Sequence, residues 1–339
     1  MSAVTSPLAV IGAGAWGTAL AQTFARTGHE VRLWARETEV VASIARDREN
    51  PLYLPGQTLA ETIRASTDLD ASLTGADLVF LVIPAQFLRE TLAKAIPFLK
   101  DGATLIICAK GIEKSSGALM SEVVGEVAPG RAFAVMSGPT FADEVACGLP
   151  TAVTLAADDP TLGHGLIERF GSRALRPYYW PDVIGAEIGG AIKNVFAIAS
   201  GIVMGKALGE NARAALLTRG LAEMRRLTLA KGGRAETVMG LSGLGDLSLT
   251  CNSSRSRNTS LGIEIGRGRQ VADVLGERRA VTEGVDTSAA VVDLAARLGV
   301  EMPIATSVDA VVNRGADVDD EIEALLARPF REEFDRDSF

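Results

Sequence analysis

An α/β N-terminal domain with a mostly parallel sheet, joined to an all-α C-terminal domain, is the fold class the sequence predicts. Three observations carry this. The chain has 339 residues, more than the roughly 100–200 of a single domain. Short apolar runs alternate with helical stretches from Leu8 to about Val153. After about Asp182 the β-type runs disappear and Ala, Leu, Gly and charged residues dominate. The expected division is residues 1–182, residues 183–330, and an acidic flexible tail over residues 331–339.

The elements follow in order. LAVI (8–11) leads into a helical stretch to about Arg26, then VRLW (31–34), LVFLVI (78–83), TLIIC (104–108) and FAVM (133–136). Continuous apolar runs of this length, bounded by Gly, Pro or Asp, suit strands buried on both faces of a parallel sheet. Helices between them make βαβ units. TAVTLA (151–156) and LRPYYW (175–180) extend the sheet. The stretches 212–233 and 287–299 have helical spacing and end at glycine, a common residue just past a helix. Residues 188–205, IGGAIKNVFAIASGIVMG, carry a single charge. A membrane span needs about 20 apolar residues, and Lys193 at its centre would cost roughly 2.5–3.5 kcal/mol. A buried helix is expected, with no membrane insertion.

Composition narrows the function. With 47% hydrophobic and 22% charged residues the chain is not a disordered one. Its net charge of −8 argues against nucleic acid as a partner, while a local basic pocket for a small anion stays open. Cys108, Cys147 and Cys251 are odd in number and widely spaced, which points to a reducing, cytoplasmic setting. His29 and His164 cannot supply a His-based zinc site, so no metal is expected. Apolar helices can fill a core or an interface, which leaves a homodimer open.

The most informative motif is Gly12-Ala-Gly14-Ala15-Trp16-Gly17, between the strand 8–11 and a helix. That context turns a weak GxGxxG match into a dinucleotide-binding loop. Gly12 permits the turn, Gly14 lets backbone approach a pyrophosphate, and Gly17 lets helix and strand pack closely. The helix N-terminus offers unpaired N–H groups to the phosphates. Arg36, just past the second strand, suits a 2′-phosphate and favours NADP over NAD, with a solvated surface charge as the competing reading.

Both histidines are poorly placed for acid–base work, so the acid/base falls to another group. Lys193 sits on an apolar helix, where burial lowers a lysine pKa toward neutrality; a lysine snorkelling to the surface is the alternative. Lys110 stands at the carboxyl edge of the sheet, where ligands bind, with a plain surface lysine as the competing reading. The segment 137–142, SGPTFA, follows a strand at the same edge. Asp246, flanked by glycines, reads as lying on a tight turn. Beyond it, Ser254-Arg255-Ser256-Arg257-Asn258 offers the fork, hydroxyl and amide donors that a phosphate needs, although taken alone this run could equally be a solvated loop.

Together these strings resemble the bacterial-type NAD(P)-dependent sn-glycerol-3-phosphate dehydrogenases. The matching segments are GAGAWGTALA (12–21), NPLYLPG (50–56), VIPAQ (82–86), AKGIE (109–113), SGPTFADEV (137–145), EIGGAIKNVFAIASGI (187–202), NARAALLTRGLAEM (211–224), GLGDLSLTCNSSRSRN (243–258) and VTEGVDTS (281–288). The resemblance implies a Rossmann-type domain joined to a helical one, and reversible reduction of dihydroxyacetone phosphate to sn-glycerol 3-phosphate with NADP or NAD, supplying the glycerophospholipid backbone. Lys193 falls at the family's proton-acceptor position. Lys110, Gly138, Thr140, Lys193, Asp246, Ser256, Arg257 and Asn258 fall at its substrate positions. Gly12, Gly14, Ala15, Trp16, Gly17, Arg36, Lys110, Ala142, Arg257, Val281 and Glu283 fall at its cofactor positions. Two positions depart from it: Thr140 stands where Ser is common, and Leu52 where many relatives have Arg. The rival readings are a β-hydroxyacid or ketopantoate-type dehydrogenase acting on a carboxylate, and a non-catalytic dinucleotide-binding module.

Overall fold

The computed structural model describes residues 6–278, 282–330 and 332–333. Eight strands form one sheet in the order β3-β2-β1-β4-β5-β6-β7-β8. They are β1 (Leu8–Ile11), β2 (Val31–Trp34), β3 (Ile63–Ser66), β4 (Leu78–Leu81), β5 (Thr104–Ile107), β6 (Phe133–Ser137), β7 (Thr151–Ala156) and β8 (Leu175–Trp180). All pairs are parallel except β6 with β7. The order reverses between β1 and β4, which opens a crevice beyond their carboxyl ends, the usual ligand edge of such sheets. β1, β4 and β5 are fully buried because helices cover both faces, which is why their sequences are unbroken apolar runs. The expected runs 78–83 and 104–108 end two and one residues later than the strands themselves.

The covering helices are α1 (Ala15–Arg26), α2 (Thr38–Asp47), α3 (Leu69–Leu73), α4 (Ala85–Ala95), α5 (Met120–Val127), α6 (Ala142–Cys147) and α7 (Pro160–Phe170). Phe24 of α1, Phe80 of β4 and Phe170 of α7 stack on one another with ring centroids 4.5–5.9 Å apart, which anchors one helical layer to the sheet.

Beyond β8 the described residues are helical: α8 (Val183–Gly205), α9 (Glu210–Lys231), α10 (Ala235–Val238), α11 (Asp246–Cys251), α12 (Arg257–Gly266), α13 (Val271–Gly276), α14 (Glu283–Arg297), α15 (Pro303–Arg314) and α16 (Val318–Leu326). Asp182 opens α8, accepting from Gly185 N at 3.0 Å and from Arg234 N at 2.8 Å. α9 ends, as its sequence predicts, at a left-handed glycine, Gly232. The apolar helix α8 is long and apolar enough to cross a membrane, yet 89% of its apolar window is buried by the surrounding helices. It and α12 meet backbone to backbone: a Cβ on Gly201 would stand 2.8 Å from Gly262 Cα, and one on Gly205 would stand 3.0 Å from Gly266 Cα. The tail expected over 331–339 lies outside the described residues apart from 332–333.

Candidate active site

The glycine loop is built by exclusion. Gly12 has φ +119°, and a Cβ there would lie 2.3 Å from the carbonyl oxygen of Val82, just past β4. A Cβ on Gly17 would lie 1.8 Å from the Gly12 carbonyl oxygen. Gly14 differs: nothing lies within 4 Å of its would-be Cβ, and as N-cap of α1 it contributes no side chain to the free N–H groups of the first turn, which Ala15, Trp16 and Gly17 begin. An open, uncapped cradle at the switch point of the sheet fits a dinucleotide pyrophosphate. Buried Asn50 pins the loop, its Nδ2 donating to Ala13 O at 2.9 Å and to Thr18 Oγ1 at 2.8 Å. Sequence reasoning gave Asn50 no role; its one signal was an asparagine before a proline beyond a charged helix.

Arg36 stands where predicted, exposed beyond β2. Its fork closes on its neighbour: Nε and Nη2 donate to Glu37 Oε1 at 3.1 and 2.8 Å, and Tyr53 Oη donates to the same oxygen at 3.2 Å.

The centre of the cleft is a lysine–aspartate–lysine group. Asp246 is fully buried. Its Oδ1 accepts from Lys193 Nζ at 2.5 Å and its Oδ2 from Lys110 Nζ at 2.6 Å. Lys110 Nζ also donates to Gly138 O at 3.1 Å, and Thr250 Oγ1 donates to Asp246 Oδ1 at 3.4 Å. The sequence EIGGAIKN makes this approach sterically feasible. A Cβ on Gly189 would meet Ser242 O at 2.5 Å, and one on Gly190 would meet Ser137 Oγ at 2.6 Å and the Lys110 stem at 3.5 Å. The paired glycines let α8 touch both the sheet edge and the segment before Asp246, and Lys193 then arrives one turn later. Burial pushes the Lys193 ammonium down to about 8, against the carboxylates of Asp246 and Glu283, which pull it up; Lys110 adds to the lowering. The snorkelling alternative is thereby excluded.

One expectation is corrected. Asp246 does not lie on a tight turn: Leu241–Gly245 form a π-helical turn that runs directly into α11, and the glycines serve close packing, a Cβ on Gly243 being 2.0 Å from Val238 O. Widened turns of this kind are frequent at functional sites.

Ser256, Arg257 and Asn258 open α12 on the far side of the cleft. The Ser256 hydroxyl caps the helix, accepting from Thr259 N at 3.3 Å. Asn258 is buried: its Nδ2 donates to Asn194 Oδ1 at 2.9 Å, and its Oδ1 accepts from Gly284 N at 3.0 Å. Asn194 in turn donates to Glu283 Oε2 at 3.3 Å. Burial raises the Glu283 carboxyl, opposed by the positive charges of Arg257, Lys193 and Lys110, so these four groups share one field. Thr140 Oγ1 donates to Gly138 O at 3.4 Å, and Ala142 begins α6. The structure thus brings Lys110, Gly138, Thr140, Lys193, Asp246, Arg257, Asn258 and Glu283 to one cleft, keeps Arg36 at the outer end of β2, and commits the Ser256 hydroxyl to a cap. Val281 lies outside the described residues. Asn194 and Thr250 were missed. Their signals were an amide beside the single charge of the apolar run 188–205, and a hydroxyl one helical turn after Asp246.

A reversing parallel sheet with an uncapped glycine loop, facing a buried lysine held by an aspartate, defines a dinucleotide-dependent oxidoreductase. The N-terminal profile of NAD-dependent glycerol-3-phosphate dehydrogenase matches residues 7–163, and the C-terminal profile matches residues 182–323. The chain belongs to this family. It is 55% identical over 326 residues to glycerol-3-phosphate dehydrogenase [NAD(P)+] of Parvibaculum lavamentivorans, covering 96% of this chain and 98% of that one. It is 56% identical over 333 residues to the enzyme of the same name from Rhodospirillum rubrum, covering 98% and 95%. The crystal structure of glycerol-3-phosphate dehydrogenase from Coxiella burnetii superposes with a TM-score of 0.92 at 39% identity, covering 96% of this chain and 100% of that one.

Proposed function

We propose that this chain catalyses the reversible NAD(P)H-dependent reduction of dihydroxyacetone phosphate to sn-glycerol 3-phosphate. The observation that carries the reading is the Lys193–Asp246–Lys110 group, buried in the cleft opposite the glycine loop. Held in the cradle that Gly12 to Gly17 form, a nicotinamide cofactor would supply the hydride for C2 of the ketone. Negative charge then grows on the carbonyl oxygen, where the Lys193 ammonium stabilises it and donates its proton. In oxidation the neutral Lys193 amine takes the hydroxyl proton. Asp246 fixes the Lys193 ammonium and aims Lys110 at the same oxygen. Arg257 and the second Nδ2 hydrogen of Asn258 hold the phosphate, and Gly138 and Thr140 line the sheet side. Binding the phosphate away from C2 fixes geometry at the reacting carbon. Gly12 to Gly17, with Ala15 and Trp16, would cradle the pyrophosphate; Arg36 would take a 2′-phosphate, and Ala142 and Glu283 would complete the cofactor side.

The same reading extends to a division into domains near residue 182, a cytoplasmic setting, a role in supplying the phospholipid backbone, no membrane insertion, and compatibility with a homodimer. The carboxylate-acting rival is disfavoured because Arg257 and Asn258 offer more donors than a small carboxylate needs.

Oxidation of NADPH, followed optically with dihydroxyacetone phosphate and repeated with NADH, tests the reading. Lys193→Ala protein, folded by circular dichroism, is expected to lose about 10²–10⁴-fold in kcat, the usual worth of positioned acid–base help. Turnover of a keto acid in place of dihydroxyacetone phosphate would sink the proposal.

A further inference from the structure

We propose that Arg255 is a positioning residue of this reaction, a clamp that fastens the 253–258 segment of the helical domain to the first turn of α6 and so sets the width of the cleft. The proposal rests on reading that cleft as the substrate site. By sequence, Arg255 and Arg257 look like twin members of one phosphate cluster. The structure separates them. Arg257 acts on Glu283 across the cleft, whereas Arg255 turns to the sheet-bearing domain. There Nη1 meets Glu144 Oε1 at 2.6 Å, Nη2 meets an Asp143 carboxylate oxygen, and the guanidinium carbon lies 4.3 Å from the centroid of the Phe141 ring.

These three partners are the N-cap and first turn of α6, directly after Gly138 and Thr140. Arg255 directly precedes Ser256, the cap of α12, and the Arg257–Asn258 pair. One side chain therefore spans the two walls of the cleft at the point where the phosphate donors face the sheet. A guanidinium alone can fork to two carboxylates by its edge while stacking on a ring by its face; a lysine can do one of these. Exposed ion pairs taken singly contribute little, but fixing one planar group from three directions restrains the backbone on either side of it. Asp143 and Glu144 also gain from lying in the first turn of a helix, so α6 holds them ready for Arg255.

The test compares Arg255→Ala and Arg255→Lys with an Asp143→Asn/Glu144→Gln variant and the triple combination. Arg255→Ala is expected to raise KM for dihydroxyacetone phosphate about 5–10-fold, with kcat within about threefold of wild type, the pattern of lost binding geometry without lost chemistry. Arg255→Lys recovers part of this. The paired carboxamide variant shows the same rise, and adding Arg255→Ala to it changes nothing further. Hydrogen exchange on the ligand-free proteins is expected to quicken in 253–260 and 138–146 when Arg255 is lost. An unchanged KM, or a lowered Tm with unaltered exchange in those segments, would overturn the clamp. The exchange readout needs no substrate, so faster exchange in a chain that ignores dihydroxyacetone phosphate would overturn the reaction assigned above and uphold the clamp itself.

Discussion

The glycine loop after β1 and the lysine centre, which Lys110 joins from just past β5, both lie at the carboxyl edge of one sheet, yet they prepare for an anionic ligand by different means. At the loop, backbone does the work: Gly12 and Gly17 exclude side chains from crowded positions, and the free N–H groups at the start of α1 await phosphate oxygens. At the lysine centre, two ammonium groups share one fully buried carboxylate, joined across 53 and 136 residues of sequence. The first arrangement is local and sterically defined. The second exists only once the two halves of the chain have folded together, and its two positive charges keep their shared counter-charge only while Asp246 is present.

That contrast breaks most sharply at Asp246. Asp246→Asn leaves two ammonium groups without their shared counter-charge, and breaking a buried pair typically costs about 3–5 kcal/mol. Denaturant unfolding should reveal that loss, with kcat falling alongside it. Loop substitutions should instead separate folding from binding. Gly17→Ala presses a methyl group onto the Gly12 carbonyl and is expected to lower stability by about 1–3 kcal/mol, measurable by thermal unfolding. Gly14→Ala meets open space at φ −65°, so the protein folds normally while the added methyl enters the cradle. Its KM for NADPH should rise about tenfold at unchanged Tm. Equal effects of the two substitutions on stability would contradict the division of labour between these glycines.

A smaller effect distinguishes buried carboxylates with a counter-charge from those without one. Glu187 of α8 is buried and accepts from Ser121 N and Oγ at 2.8 and 2.5 Å, and burial raises its carboxyl to about 7. A raised carboxyl binds more protons in the folded than the unfolded chain between about 4.5 and 7. Stability from this group is therefore full at low pH and is lost as pH rises through 7. Glu187→Gln keeps the bond from Ser121 N, reverses the one to Ser121 Oγ so that the amide donates to the hydroxyl, and should remove up to about 3 kcal/mol of that slope, leaving stability at pH 8 equal or higher. Urea unfolding at pH 5 and pH 8 measures it. Glu223, raised to about 7 by burial against the opposing pull of the hydrogen bonds it accepts from Ile304 N and Ala305 N, carries a further share of the same slope.

Much of the loop half was legible in the sequence, because its rules are local. β1, β2, β7 and β8 coincide with the apolar runs that predicted them, and the GxGxxG spacing located the cradle. β3 was missed because Ile-Arg-Ala-Ser is a short edge strand that pairs only with β2, and so shows no apolar run. In the helical half, the apolar surroundings of Lys193 announced a buried amine. Nothing local announced that Lys110 and Lys193 would share Asp246, that Asn194 would hold Asn258, or that Arg255 and Arg257 would part company. Such pairings depend on packing between elements, which residue spacing along the chain does not encode.

The pH dependence of the rate in both directions tests the proton-transfer role of Lys193 most directly. With its pKa near 8, the ammonium needed for ketone reduction is full below that value and is lost as pH rises through it, while the amine needed for alcohol oxidation grows over the same range. Reduction of dihydroxyacetone phosphate should therefore decline, and oxidation of sn-glycerol 3-phosphate should climb, through a shared inflection near pH 8 that disappears in Lys193→Ala. Profiles flat between pH 7 and 9, or an inflection that survives in Lys193→Ala, would contradict Lys193 as the proton donor.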